Sequence, residues 1–114
     1  FYSYEAKYLD PQGAELRLPA ELPAATRAEV MRLAVAAFRA VEASGMARVD
    51  FFVEKGSGRI WLNEINTLPG FTNISMYPKM WEASGLPYPE LINRLIALAL
   101  ERHAEKQLLR TSVT

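Results

Sequence analysis

The stretch WLNEINTLPGF, Trp61 to Phe71, sets a carboxylate (Glu64) and a carboxamide (Asn66) two residues apart in an otherwise apolar run. Oxygens in such a run are costly to shield from water unless something occupies them. Upstream, ARVDFFVE carries Arg48 and Asp50 at the same spacing. Side chains alternate along a strand, so Arg48, Asp50 and Phe52 share one face, and Leu62, Glu64 and Asn66 share a face of the second segment. If the two segments form a hairpin centred on Ser57, Asp50 lies opposite Glu64 and Arg48 opposite Asn66. Directly opposed carboxylates repel unless a cation lies between them. Mg²⁺ meets that need, because it takes one or two carboxylates together with phosphate oxygens and water at roughly 2.0–2.1 Å. Asn66 adds a neutral oxygen, and Arg48 adds a fixed positive charge suited to a phosphorylated ligand. A solvated sheet face with surface ion pairs is the other reading of the same residues, and a slip of one residue would put the pairs on opposite faces. Pro69-Gly70 is either a plain turn or a place where backbone N–H groups approach a ligand closely.

The elements that must hold these residues are legible from periodicity. Val30, Leu33, Ala34, Ala37, Phe38 and Val41 recur at helical spacing, which predicts an amphipathic helix from Thr26, with Thr26 and Glu29 spaced as a capping box and Gly45 as the stop. Residues 46–54 and 59–67 around KGSG predict the hairpin. TLPGFTNI reads as an ordered loop. A short helix follows from Met76 to Ser84, with Ser75 as N-cap and Gly85 just past its end. Pro89 opens a longer helix to about Glu105, with Leu91, Ile92, Leu95, Ile96, Leu98 and Ala99 on its buried side. Toward the amino terminus, FYSYEAKY suits a strand leading into a loop, and a short strand is expected around Glu15 to Leu18. The fold class expected is α+β.

Composition narrows the function classes. The 114 residues suffice for one small domain, with half of them apolar and 13 basic against 13 acidic side chains. No basic stripe argues for nucleic acid or an anionic membrane. The absence of cysteine excludes disulfides and thiolate metal sites. The apolar run Leu95 to Leu100 is too short to span a bilayer. The chain opens at Phe1 without methionine, inside a strand-like segment, and so reads as a piece of a longer polypeptide.

In combination, ARVDFFVE, GRIWLNEINTLPGFTNISMYPKMWEASGLPYPELINRLIALAL and the amino-terminal FYSYEAKY resemble the carboxyl-terminal part of D-alanine–D-alanine ligases, in the ATP-grasp superfamily. The likeness runs from Phe1 to about Arg102. It implies an ATP-grasp carboxyl-terminal domain fragment over residues 1–114, an antiparallel sheet packed with helices, with 1–14 beginning a mobile loop over the active site and 107–114 a tail. It further implies that Asp50, Glu64 and Asn66 hold two Mg²⁺ ions (Mn²⁺ serving as a substitute) between ATP phosphates, with Glu64 bridging. Arg48 matches an arginine that contacts the transferred phosphate and the oxyanion of the tetrahedral intermediate, and Gly70 a glycine whose N–H joins it. Ser75 matches a residue holding the carboxylate of the second D-alanine, with Met76 beside its methyl group. Lys7 matches a loop lysine reaching phosphate and that carboxylate, and Tyr8 a tyrosine closing the loop. Phe1 and Phe52 match apolar positions lining the adenine pocket. Ser3 departs from the family's aspartate and is none of the metal or phosphate positions.

The implied reaction joins two D-alanines through an acyl phosphate at the expense of ATP, making D-alanyl-D-alanine for peptidoglycan, in a cytoplasmic homodimer. The resemblance places the first D-alanine site and much of the ATP site upstream of Phe1, so the 114 residues alone are expected to be inactive. The alternatives are an ATP-grasp ligase of the D-alanine–D-lactate or D-serine type, a carboxylase, or a non-catalytic nucleotide-binding module. Ser75 has a plain reading as a helix cap, Met76 and Phe52 as core, and Lys7 and Tyr8 as an exposed strand end. His103 reads as a solvated residue in the last turn of a helix.

Overall fold

The structure, a computed structural model, describes residues 15–72 and 74–109. The element order is α1 (Ala24–Ala40), β1 (Arg48–Val53), β2 (Ile60–Asn66), α2 (Met76–Ala83) and α3 (Tyr88–Leu108). The two strands form an antiparallel sheet, α1 packs against both of them, and α2 packs against α3. The α+β class expected from the sequence is the one observed. The segment Phe1 to Tyr8, with its loop, lies outside the described residues.

α1 starts three residues earlier than the capping-box spacing predicts. Pro23 occupies the N-cap without a side-chain hydrogen bond. Glu29 does not reach back to a backbone N–H, because Arg32 takes both its oxygens at 2.9 and 2.6 Å. That hydrogen bond, with the guanidinium charge, holds the Glu29 carboxyl below its ordinary range. The helix also ends before Gly45. Glu42 takes the left-handed position at φ 53°, its N–H donates to the Arg39 carbonyl, and the Ala43 N–H donates to Phe38. These two bonds satisfy the terminal carbonyls in the way a glycine-ended helix does. Val30, Leu33, Ala34, Ala37 and Phe38 are half-buried as their spacing requires, whereas Val41 lies past the helix and is exposed.

The strand expected near Glu15 to Leu18 does not form. Arg17 there pairs instead with Glu15 and Glu21 on an exposed, irregular stretch. α2 ends as predicted, with Gly85 at φ 94° and the Leu86 N–H returning to the Trp81 carbonyl. α3 runs three residues past Glu105, to Leu108, absorbing the start of the expected tail. Its buried side is shorter than its periodicity implies. Leu91 is buried and Ile92 and Leu95 half-buried, but Ile96, Leu98 and Ala99 are exposed, since nothing among the described residues covers that half of the helix.

Candidate functional site

The hairpin brings the predicted pairs together. Arg48 lies opposite Asn66 and Asp50 opposite Glu64. The register near the turn is one residue different: Phe51 pairs with Leu62, Phe52 with Trp61 and Val53 with Ile60. Asn63 is therefore an extra residue on β2, a bulge between the turn and the site. A turn centred on Ser57 is not what produces the predicted pairs; the bulge restores them. It also corrects one face assignment. Paired residues point the same way, so Leu62 joins Phe51 on the opposite face from Glu64, and Trp61 joins Phe52 on the site face. One face then carries Val49, Phe51, Val53, Ile60, Leu62 and Ile65. The other carries Arg48, Asp50, Glu64 and Asn66 at one end, with Phe52 and Trp61 beyond them.

Asp50 and Glu64 converge on one guanidinium. Arg48 Nε and Nη2 donate to the two Asp50 oxygens at 2.9 and 3.0 Å, a bidentate pair, and Nη2 lies 3.7 Å from Glu64 Oε1. The Arg48 and Asp50 side chains are 25% and 31% exposed and Glu64 is 59% exposed, so the face opens toward solvent on the β2 side. The two carboxylates thus share one location where positive charge is stabilised. Asn66 ends the strand, its Oδ1 accepting the Leu68 N–H at 3.2 Å. A carboxamide oxygen keeps a second lone pair for a ligand. Two carboxylates and one amide oxygen form a hard donor set that leaves coordination positions for phosphate and water, and this fits Mg²⁺. Among the described residues no three His, Cys, Asp or Glu side chains gather into one group.

The loop after β2 is fastened to the helices by aromatic rings. Phe71 packs at 5.5 Å from Tyr77 and 6.0 Å from Tyr88, and the Tyr88 hydroxyl donates to the Phe71 carbonyl at 3.2 Å. Pro69 and Tyr77 are buried. Within this loop Gly70 and Ser75 meet: a Cβ on Gly70 would stand 2.9 Å from Ser75 Oγ. Gly70 is thus required for close approach rather than for a left-handed turn. Ser75 occupies the N-cap position of α2 yet makes no capping hydrogen bond. Its hydroxyl turns to Thr72, accepting the backbone N–H at 2.9 Å and lying 2.7 Å from Thr72 Oγ1.

Met76 is half-buried at the start of α2, and Phe52 is 62% exposed, so Phe52 is not a core residue here. Lys7, Tyr8 and Phe1 lie outside the described residues. His103 is exposed, 3.4 Å from Gln107, and takes no part in the site. Sequence reasoning missed Trp61, whose face depends on the bulge, and Thr72, whose only signal was a hydroxyl three residues before Ser75. A cleft of about 710 Å³ elsewhere, lined in part by Met46, Leu68, Leu95, Leu98 and Arg102, contains none of the candidate ligands.

Comparison with known proteins gives the family. The family model described as D-ala D-ala ligase C-terminus matches residues 1–97. The D-alanine–D-alanine ligase A of Bradyrhizobium diazoefficiens is 63% identical over 107 residues, 94% of this chain and 29% of that protein. The ligase of Solibacter usitatus is 57% identical over 110 residues, 96% of this chain and 34% of that protein. Among solved structures, the Coxiella burnetii D-alanine–D-alanine ligase superposes with a TM-score of 0.76 at 56% identity, covering 79% of this chain and 26% of that one. The Bacillus anthracis ligase complexed with ATP gives 0.70 at 36% identity, covering 75% and 30%. The chain spans about a third or less of the length of these relatives. It belongs to the D-alanine–D-alanine ligase carboxyl-terminal family, of ATP-grasp fold.

Proposed function

We propose that the chain supplies the metal- and phosphate-binding face of an ATP-dependent ligase that joins two D-alanines for peptidoglycan precursors. The observation that carries this reading is the convergence of Asp50 and Glu64, from opposite strands, on the guanidinium of Arg48. In the proposed reaction the carboxylate of one D-alanine takes the γ-phosphoryl group of ATP and ADP departs. The amine of the second D-alanine then attacks the acyl-phosphate carbonyl, loses its proton, and phosphate leaves.

Asp50, Glu64 and Asn66 would hold two Mg²⁺ ions; when bound, these neutralise charge on the ATP phosphates. Arg48 lies on the same face and is placed to bind the transferring phosphoryl group once its carboxylate partners have another cation to balance. Catalysis of this kind is positioning and charge stabilisation. Phe52 and Trp61, at the other end of the face, offer an apolar surface to a nucleotide base. Gly70 and Ser75 would bind the oxyanion and the carboxylate of the second D-alanine, with Met76 beside its methyl group. Lys7 and Tyr8 would close over the site and exclude water, and Phe1 would line the adenine pocket. A cytoplasmic homodimer is part of the same reading; no helix among the described residues is long and apolar enough to cross a membrane.

The test is Asp50→Ala and Glu64→Ala in the full-length protein, each assayed for ADP and D-alanyl-D-alanine. Both variants are expected to lose dipeptide synthesis. Ordinary turnover in either one overturns the metal assignment. Offering D-lactate beside D-alanine decides the acceptor class, with the amine expected to be used and the hydroxyl refused.

A further inference from the structure

One hydroxyl in the loop before α2 is held from several directions. Ser75 Oγ accepts the Thr72 backbone N–H at 2.9 Å and lies 2.7 Å from Thr72 Oγ1, while the Ser75 N–H donates to the Thr72 carbonyl at 3.1 Å. Gly70 leaves no room behind it, since a Cβ there would stand 2.9 Å from the same oxygen. A serine hydroxyl has one hydrogen to donate and two lone pairs to accept with. When Thr72 Oγ1 donates, its O–H and its own N–H fill both lone pairs of Ser75 Oγ, and the single Ser75 hydrogen is left for a third partner. In the reverse order Ser75 spends its hydrogen on Thr72 and has nothing to offer a carboxylate, which only accepts.

We propose that Thr72 is a positioning residue that makes the Ser75 hydroxyl a committed donor to the carboxylate of the acceptor amino acid. The proposal rests on the reading of Ser75 as the residue that binds that carboxylate. Thr72 touches no substrate; it acts through Ser75, by orienting the hydroxyl and by polarising it with two incoming hydrogen bonds. Selectivity for an acceptor with a free carboxylate then depends on Thr72 as much as on Ser75.

The experiment uses the full-length protein with Thr72→Val, Thr72→Ser, Ser75→Ala and the Thr72→Val/Ser75→Ala double variant. D-alaninamide is a second acceptor beside D-alanine; it lacks the carboxylate that is phosphorylated and so reports on the acceptor site alone. Thr72→Val is expected to raise the KM for the acceptor D-alanine about five- to tenfold, the net worth of one neutral hydrogen bond. The KM for ATP should stay in place, kcat should change less than KM, and the preference for D-alanine over D-alaninamide should fall. Thr72→Ser restores all of these, and the double variant is no worse than Ser75→Ala, because the two residues act as one unit. If Ser75→Ala raises the acceptor KM and Thr72→Val does not, or if the two effects add in full, the proposal for Thr72 is wrong and the reading of Ser75 survives. If Ser75→Ala also leaves the acceptor KM and the amide preference unmoved, both fall. Should Thr72→Val fail to fold, Thr72→Ala removes the same hydroxyl with less bulk; a rise in both KM values there, with no change in amide preference, marks a structural role and overturns the proposal.

Discussion

At the residue scale, Arg48 has two roles on the proposed reading, one structural and one toward phosphate. Its bidentate grip on Asp50 and its approach to Glu64 keep two opposed carboxylates from repelling each other. The same guanidinium is the group proposed to meet the phosphoryl oxygens. A lysine could balance the charge but could not engage two carboxylate oxygens through a planar fork. Arg48→Lys is therefore expected to fold and still bind Mg-ATP, with kcat reduced about 10²-fold or more, the scale seen when one preorganised donor to a developing oxyanion is lost. Calorimetry of Mg-ATP binding beside steady-state ADP release checks this. Weaker binding with kcat intact would show that the arginine holds ground state and transition state alike and has no special part in the transfer.

The hairpin and its flanking helix ends decide where those residues point. The bulge at Asn63 lets β2 pair correctly at both ends, keeping Glu64 opposite Asp50 while turning Trp61 rather than Leu62 to the site face. α1 shows a local cost of another kind. Its left-handed terminal residue is Glu42, at φ 53°, where glycine is the usual occupant. The left-handed conformation costs an L-residue about 1–2 kcal/mol, partly offset in a glycine by the roughly 0.5–1 kcal/mol of extra chain entropy it loses on folding. Glu42→Gly should accordingly stabilise the protein by about 0.5–1 kcal/mol without altering catalysis, measured by denaturant unfolding. A lower midpoint would mean that the Glu42 side chain contributes a contact outweighing the backbone relief.

Over the whole molecule, the apolar surface exceeds what these residues cover for themselves. Tyr77 and Leu91 are the buried hydrophobic side chains among the described residues, while Phe52, Trp61, Leu62, Leu68, Ile96 and Leu100 are each more than half exposed. Phe52 and Trp61 pair across the strands, and adjoining exposed apolar area of this kind belongs to surfaces that pack against something else. The 114 residues on their own are expected to bind a hydrophobic dye strongly and to release no ADP when given ATP, Mg²⁺ and D-alanine. D-alanine-dependent ADP release by this piece would contradict the division of the site proposed above.

The types and spacings of Arg48, Asp50, Glu64 and Asn66 are readable in one dimension, because strand alternation follows from backbone geometry and needs no partner. The helix periodicities are readable for the same reason, and so is the stop at Gly85, where only glycine takes a positive φ without strain. Several features became visible only in three dimensions: the bulge at Asn63, the choice of Glu42 over Gly45 to end α1, the turning of Ser75 from its cap position to Thr72, and the bare second half of α3. Each results from a competition between local preference and the packing or hydrogen bonding of a neighbour. Periodicity records the preference, and the folded chain decides the competition.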